Sequence, residues 1–258
     1  MELFTYLAEF GTHPRPGAGH VGLYAGLAVI AAFLVRSAYK DLTRPDSVPA
    51  DAGPDPRLPL FRETVVSLWL VALACLAGWL AAGGSLAALG FRLPAGTGGW
   101  VGNGIALLAG AALLAQAVTV SRSEEVRQQF AAQLDEAEGY DWIRPGSAPE
   151  YRWFQVMAVT AGITEEVVFR GFLIGTLALW MPAWAAATAS VLIFVGAHVY
   201  QGVSGMKRIL PISLALTAIF LLTGSLLPVI VLHALVDVAG GAMMWRLRGY
   251  RTPACAPA

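Results

Sequence analysis

The sequence is poor in charged residues and in cysteine. Only 13% of its 258 residues are charged, lysine plus arginine equals aspartate plus glutamate at 17 each, and the net charge is +0. A neutral chain gives no reason to expect a nucleic-acid partner, because phosphate binding needs a concentrated positive field. The two cysteines, Cys75 and Cys255, are too few for a disulfide framework or a thiolate metal site.

Apolar residues are what the sequence has in excess. They make up 57% of the chain, and the mean hydropathy is +0.62, whereas soluble proteins are roughly 45–50% apolar. They form blocks near the roughly 20-residue length that spans a bilayer. We predict an all-α, polytopic membrane bundle of about seven transmembrane helices. The predicted spans are Val21–Val35, Val65–Ala82, Val101–Val120, Trp153–Trp180, Trp184–Tyr200, Ile209–Thr223 and Pro228–Trp245.

The distribution of positive charge predicts the orientation. With the N-terminus outside, the predicted spans place 14 of the 17 lysines and arginines on the cytoplasmic side, as the positive-inside bias requires. The predicted location is the bacterial cytoplasmic membrane, with the C-terminus inside. The proline-rich stretch 42–62 is predicted to be a cytoplasmic linker. Residues 121–138 are predicted to form an amphipathic helix along the membrane surface or a solvated connecting helix.

Six ionisable side chains in the second half of the chain lie inside predicted spans. Inserting such a group costs roughly 2.5–3.5 kcal/mol, so each needs a partner or a purpose. The first three predicted spans contain no such group. A single histidine in an apolar helix is usually a packing residue, but complementary groups on three helices indicate a site. The six side chains are those of Glu165, Glu166, Arg170, His198, His233 and Asp237.

The spacing of these residues predicts part of their arrangement. Glu166 and Arg170 are four apart and are expected to form an ion pair on one helix face. Glu165 lies about 100° around the helix from this face and is the candidate general base. His233 and Asp237 are also four apart, so the carboxylate is expected to orient the imidazole.

His198 lies close to the end of its predicted helix. At about 1.5 Å per residue, Glu165 and His233 lie much deeper. We expect His198 to reach them only if its helix runs past Tyr200 toward Gly205, or if tilt and a water-filled cleft move the site.

Three motifs in this region resemble those of a known family. Residues 165–170, EEVVFR, match EExxxR; residues 194–198, FVGAH, match FxxxH; and residues 233–237, HALVD, match HxxxN/D. In this order on separate apolar helices they resemble the CPBP family, which groups CAAX prenyl endopeptidases with bacteriocin-processing and self-immunity proteins. The resemblance covers about residues 151–245.

The resemblance implies an intramembrane glutamate endopeptidase with no obligatory metal or other cofactor. It implies that Glu165 and His198 activate a water and that His233 and Asp237 stabilise the oxyanion. The Glu166–Arg170 pair would hold the helix and the general base in place. Because an ionised aspartate would repel an oxyanion, Asp237 must be protonated or act only by orienting His233.

The expected organisation has three parts. Residues 1–150 hold three spans, the linker and the amphipathic helix; residues 151–247 form a catalytic core of four helices; and residues 248–258 are a cytoplasmic tail. The expected partners are the lipid bilayer and a membrane-associated or lipid-anchored polypeptide substrate, with the oligomeric state left open.

Several alternatives stay open. Glu and two His from separate helices can bind zinc, although the chain contains no HExxH. Intramembrane acids and histidines also make proton relays, as in a proton-coupled transporter. A catalytically inactive binding or immunity protein would keep the same fold. The tail Cys255–Ala258 fits C-a-a-X formally, but we interpret this as chance.

Overall fold

The protein is described from a computed structural model, which defines residues 20–45, 47–49, 51, 53–135 and 141–249. All regular structure in these ranges is helical, which confirms the predicted fold class. The N-terminus predicted to lie outside and the C-a-a-X tail fall outside the described residues. In chain order the helices are α1 (His20–Thr43), α2 (Leu58–Ala81), α3 (Leu86–Leu89), α4 (Gly96–Arg122), α5 (Glu124–Asp135), α6 (Ala148–Glu165), α7 (Ile174–Leu177), α8 (Ala183–Gly196), α9 (Gly202–Thr223) and α10 (Leu226–Leu247).

Five of these helices, α1, α2, α4, α9 and α10, are long and apolar enough to cross a membrane. The chain is therefore a multi-pass helical membrane protein, but the predicted number of seven spans is not matched. The predicted span Trp184–Tyr200 is instead the 14-residue helix α8, which ends at Gly196. The predicted span Trp153–Trp180 belongs to a rod that carries too many charges to count as an apolar span.

This rod is continuous from α6 to α7. The Ser147 hydroxyl caps α6 by accepting from the backbone N–H of Glu150, as helix N-termini favour. After Glu165 the helix widens into a π-helical segment, Glu166–Leu173, and then continues into α7. All eight residues of this π segment are buried. Because π-helical turns interrupt the regular α-helical hydrogen bonding and often occur at functional sites, the acidic and basic residues of this segment are candidates for a functional role.

Two close helix contacts set the position of the rod. A side chain at Gly22 on α1 would place its Cβ 2.5 Å from the carbonyl oxygen of Gly78 on α2. A Cβ at Gly162 on α6 would lie 2.6 Å from the backbone nitrogen of Ala234 on α10. Glycine therefore lets these backbones approach, as small residues do in membrane bundles. The second contact brings the end of α6 beside the middle of α10.

The linker is shorter than predicted. The chain is helical up to Thr43 in α1 and again from Leu58 in α2, because Pro59 lies in the first turn of α2, where its missing N–H is not needed. Near its end, the linker is held to α6 by Glu150, which is fully buried. The Glu150 carboxylate accepts hydrogen bonds from the backbone N–H of Arg57 at 2.8 Å and of Gly146 at 2.7 Å.

Two other helix boundaries also differ from prediction. The first span extends two turns past Val35, because amphipathic Arg36 and Lys40 continue the helix toward Thr43. Helix α9 begins at Gly202 rather than Ile209 and contains Pro211, which membrane helices tolerate when neighbouring groups satisfy the freed carbonyl. The predicted amphipathic helix is α5, separated from α4 by a break at Ser123.

Candidate active site

A buried ion pair lies at the start of the π segment. Arg170 Nη1 donates to Glu166 Oε1 at 2.9 Å, and the two side chains are 1% and 0% exposed. This is the ion pair that the four-residue spacing predicted. Because a single buried charge without a partner strongly destabilises a protein, each of the two side chains needs the other to remain buried and charged.

The sequence did not reveal what else holds Arg170. Its guanidinium donates to the Ser213 hydroxyl at 3.0 Å and to the Thr217 hydroxyl at 3.4 Å, both on α9. It also lies 4.5 Å from the centre of the Phe194 ring, a favourable cation–π distance. Ser213 and Thr217 are both buried. Two hydroxyl residues one helical turn apart in an apolar helix are the only sequence signal that could have identified them.

His233 is oriented by Glu166. Its Nδ1 lies 2.7 Å from Glu166 Oε1, the same oxygen that accepts from Arg170. Since a carboxylate engaged by arginine accepts hydrogen bonds, Nδ1 carries the hydrogen. The Nε2 atom lies 3.6 Å from Asp237 Oδ2 and 3.8 Å from Glu165 Oε2. Asp237 therefore lies within ion-pair distance of the imidazole, as predicted, but 3.6 Å is too long for a hydrogen bond, and it is Glu166 that orients the ring.

Glu165 is not the ion-pair partner of Arg170 and lies instead against the other nitrogen of the His233 ring. Its side chain is 15% exposed, and among the described residues it makes no hydrogen bond; its nearest charged partner is His233. Because its neighbours leave both carboxylate oxygens without a donor, Glu165 retains lone pairs for a water molecule or a substrate group.

His198 reaches the same region by a route that the sequence did not predict. Helix α8 ends at Gly196, and His198 lies in the turn that precedes the short 3₁₀ helix Val199–Gln201. Of the two conditions predicted for His198, continuation of its helix past Tyr200 is therefore not met. The ring of Phe194 lies 4.7 Å from the His198 ring and 6.0 Å from the His233 ring, measured between centroids, so both imidazoles pack near one aromatic side chain.

The hydrogen bonding of His198 fixes its tautomer. Its Nδ1 lies 2.8 Å from the Phe194 carbonyl oxygen, and a carbonyl can only accept, so Nδ1 donates. A neutral His198 then has no hydrogen on Nε2, which has no partner among the described residues. Such a nitrogen is a proton acceptor.

A cavity of ≈ 490 Å³ joins these groups to the first two helices. Glu165, His198 and Tyr200 line it from the second half of the chain, whereas His233 and Asp237 are absent from the described residues of its wall. The remaining wall is largely apolar, with basic side chains toward the end of α1. The wall residues from α1 and α2 include Phe33, Leu34, Arg36, Lys40, Leu60, Phe61 and Leu68. No sequence motif had assigned α1 or α2 to the site.

Within the described ranges, no group of three or more His, Cys, Asp or Glu side chains is arranged to hold a metal ion. The zinc alternative required Glu165, His198 and His233 to converge as ligands. Nδ1 of each histidine is engaged, by Glu166 in one case and by the Phe194 carbonyl in the other, so only the Nε2 atoms are left as possible ligands.

Residues 148–239 match the family model described as Type II CAAX prenyl endopeptidase Rce1-like. No curated protein and no solved structure matches the chain. The matched segment contains all three motifs and all six candidate residues, which confirms the family resemblance of this region. It does not include α1 or α2, which form the other side of the cavity.

Proposed function

The chain carries a domain of the CAAX prenyl endopeptidase type in a multi-pass membrane protein, and we propose that it hydrolyses a peptide bond through a water activated by Glu165 and His198. The observation that carries the proposal is that both side chains line one cavity with unused acceptor atoms: the Glu165 carboxylate and Nε2 of His198. Peptide hydrolysis needs a base positioned on water, and these two groups supply it.

The proposed reaction begins when the water oxygen attacks the carbonyl carbon of the scissile peptide. The water gives one proton to Glu165, assisted by His198, and the carbonyl oxygen becomes an oxyanion. The C–N bond then breaks, and the proton held by Glu165 passes to the leaving amine. The products are a new carboxylate and a new amine, with no other reactant needed.

The neighbouring residues have supporting roles in the proposal. Glu166 orients His233 and fixes the start of the π segment, while Arg170 neutralises Glu166. As an imidazolium, His233 can donate from Nε2, and Asp237 stabilises this charged ring from 3.6 Å. Asp237 itself contributes no hydrogen bond to the oxyanion while it is ionised.

The cavity supports the proposed substrate class. A pocket formed inside a membrane bundle, with a largely apolar wall to which α1 and α2 add both apolar and ion-paired side chains, suits a polypeptide delivered by the bilayer, either membrane-associated or lipid-anchored. The proton-coupled transporter is disfavoured because the six ionisable groups lie near the π segment and one cavity, rather than in a series across the bundle.

The test uses purified protein in liposomes and a peptide that ends in a prenylated cysteine followed by three residues. Cleavage is followed by mass spectrometry for wild type, Glu165→Gln and His198→Ala. We expect a loss of about 100-fold or more in each variant, the scale of general-base catalysis. The matched control Glu125→Gln changes an exposed carboxylate on α5 and should retain activity. Undiminished cleavage in both site variants would overturn the mechanism, whereas no cleavage by wild type would favour a binding or immunity protein.

A further inference from the structure

We propose that Tyr200 is a further catalytic residue whose hydroxyl donates a hydrogen bond to the oxyanion; this inference rests on the proposed function. Tyr200 lies in the 3₁₀ helix after His198, with its ring 5.9 Å from the His198 ring. It lines the same cavity as Glu165 and His198. No motif in the sequence singled it out.

The site is short of donors for an oxyanion. His233 uses its Nδ1 hydrogen on Glu166, so it can donate from Nε2 only as an imidazolium. Asp237 repels negative charge when ionised. The cavity wall also lacks both residues within the described part of the chain. Acyl transfer usually relies on two or more donors aimed at the developing charge, and a further donor must therefore be sought on the wall.

The Tyr200 hydroxyl meets the requirements for such a donor. Gln201 Nε2 donates to its oxygen at 3.0 Å, which occupies one lone pair. Its own hydrogen has no acceptor in the described ranges. The ring that carries this hydroxyl lies beside His198 and on the wall of the cavity that Glu165 also lines, where the proposed attacking water would bind.

The chemical role is hydrogen bonding without proton transfer. The phenolic O–H stays intact, and its bond to the substrate oxygen strengthens as the carbonyl becomes an oxyanion. Such a donor acts on the transition state more than on bound substrate, so its removal lowers kcat and leaves KM nearly unchanged. Loss of one oxyanion donor lowers kcat by about 10²–10³-fold.

The experiment compares Tyr200→Phe with wild type on the prenylated peptide in liposomes. Tyr39→Phe, which removes the same atom from an exposed ring on α1, is the matched control. We expect Tyr200→Phe to lower kcat by about 100-fold or more with KM within twofold, and Tyr39→Phe to have no effect. An unchanged kcat, or a raised KM with normal kcat, would overturn the inference.

A second variant separates donation from a general structural effect. Asp237→Asn places an amide donor beside His233. In that background the loss of kcat caused by Tyr200→Phe should be about tenfold smaller than in wild type. An equal cost in both backgrounds would count against the oxyanion role. A phosphonate analogue of the peptide, with an anionic tetrahedral centre, gives a readout independent of turnover. Tyr200→Phe should weaken binding of this analogue about tenfold or more. When Tyr200→Phe is added to the inactive Glu165→Gln variant, binding of the intact peptide should be unchanged.

The proposed function and this inference fail in different ways. If wild type does not cleave, or if Glu165→Gln cleaves normally, the proposed function is wrong and the oxyanion role falls with it. If cleavage requires Glu165 but is indifferent to Tyr200, only the inference about Tyr200 is wrong.

Discussion

Replacing Glu166 by leucine tests how the buried ion pair supports both stability and chemistry. Glu166 Oε1 accepts from Arg170 and from His233, and both charged side chains are at most 1% exposed. The variant leaves Arg170 charged and uncompensated, which costs about 3–5 kcal/mol. It also removes the acceptor that holds the His233 ring. At roughly 2–4 °C per kcal/mol for a chain of this size, the melting temperature should fall by roughly 10 °C.

The double variant Glu166→Leu with Arg170→Met separates the two effects. Replacing a whole buried ion pair by apolar residues of similar volume is often neutral for stability, so the melting temperature should return close to that of wild type. Activity should not return, because His233 still lacks its acceptor. Loss of alignment at a reacting centre costs about 100-fold. The assays are thermal unfolding in detergent micelles and cleavage of the prenylated peptide.

Two results would refute this reasoning. If the double variant were as unstable as the single one, the cost would come from the hydrogen bonds to Ser213 and Thr217 or from packing, not from an isolated charge. If the double variant were stable and fully active, Glu166 would have no part in positioning His233.

Two further predictions concern how the site is supported. Gly162→Ala should destabilise the fold by about 1–3 kcal/mol and lower activity, because its Cβ would meet the Ala234 backbone. The control Gly104→Ala, with no atom within 4 Å of its Cβ, should stabilise α4 by up to about 1 kcal/mol. Equal melting temperatures for the two variants would contradict the close contact at Gly162. Glu150→Ala should cost roughly 1–3 kcal/mol for each backbone N–H left without an acceptor, and limited proteolysis should cut the linker near Arg57 faster than in wild type; an unchanged cutting rate would show that Glu150 does not fasten it.

Much of the fold could be predicted from apolar block length alone. The five long helices that qualify as spans each overlap a predicted span, because the bilayer thickness fixes how many apolar residues a crossing needs. The rod α6–α7 was harder, since only the Glu166–Arg170 pair is neutralised within it, and its other contacts, such as those of Glu166 with His233 and of Glu150 with Arg57, come from elsewhere in the chain. The end of α8 at Gly196 also could not be predicted, because apolar residues continue to Tyr200 without a proline to stop the helix.

The candidate site was predictable where partners are one helical turn apart. The Glu166–Arg170 pair follows from the four-residue spacing. The same rule places Asp237 beside His233 but misses the hydrogen bond of His233 to Glu166. Asp237 and His233 share a helix face, but Glu166 approaches from the π segment and makes the shorter contact. Contacts such as those of Ser213 with Arg170 depend on helix packing, which no local pattern encodes.

The contribution of the first two helices to the cavity also could not be predicted from the sequence. Phe33 looks like an ordinary membrane residue, and Phe61 lies in the stretch that was predicted to be a linker, so nothing in the sequence marks either as part of a cavity wall. The glycine contact between Gly22 and Gly78 fixes how α1 and α2 pack together, and only the folded arrangement places them opposite Glu165.

The most direct test of the central claim is cleavage of the prenylated peptide in ¹⁸O-labelled water, followed by mass spectrometry under single-turnover conditions. The account predicts that wild type incorporates one ¹⁸O atom into the new carboxylate and that Glu165→Gln forms labelled product at least about 100-fold more slowly. Product without the label, or labelled product formed by Glu165→Gln at the wild-type rate, would contradict a water activated by Glu165.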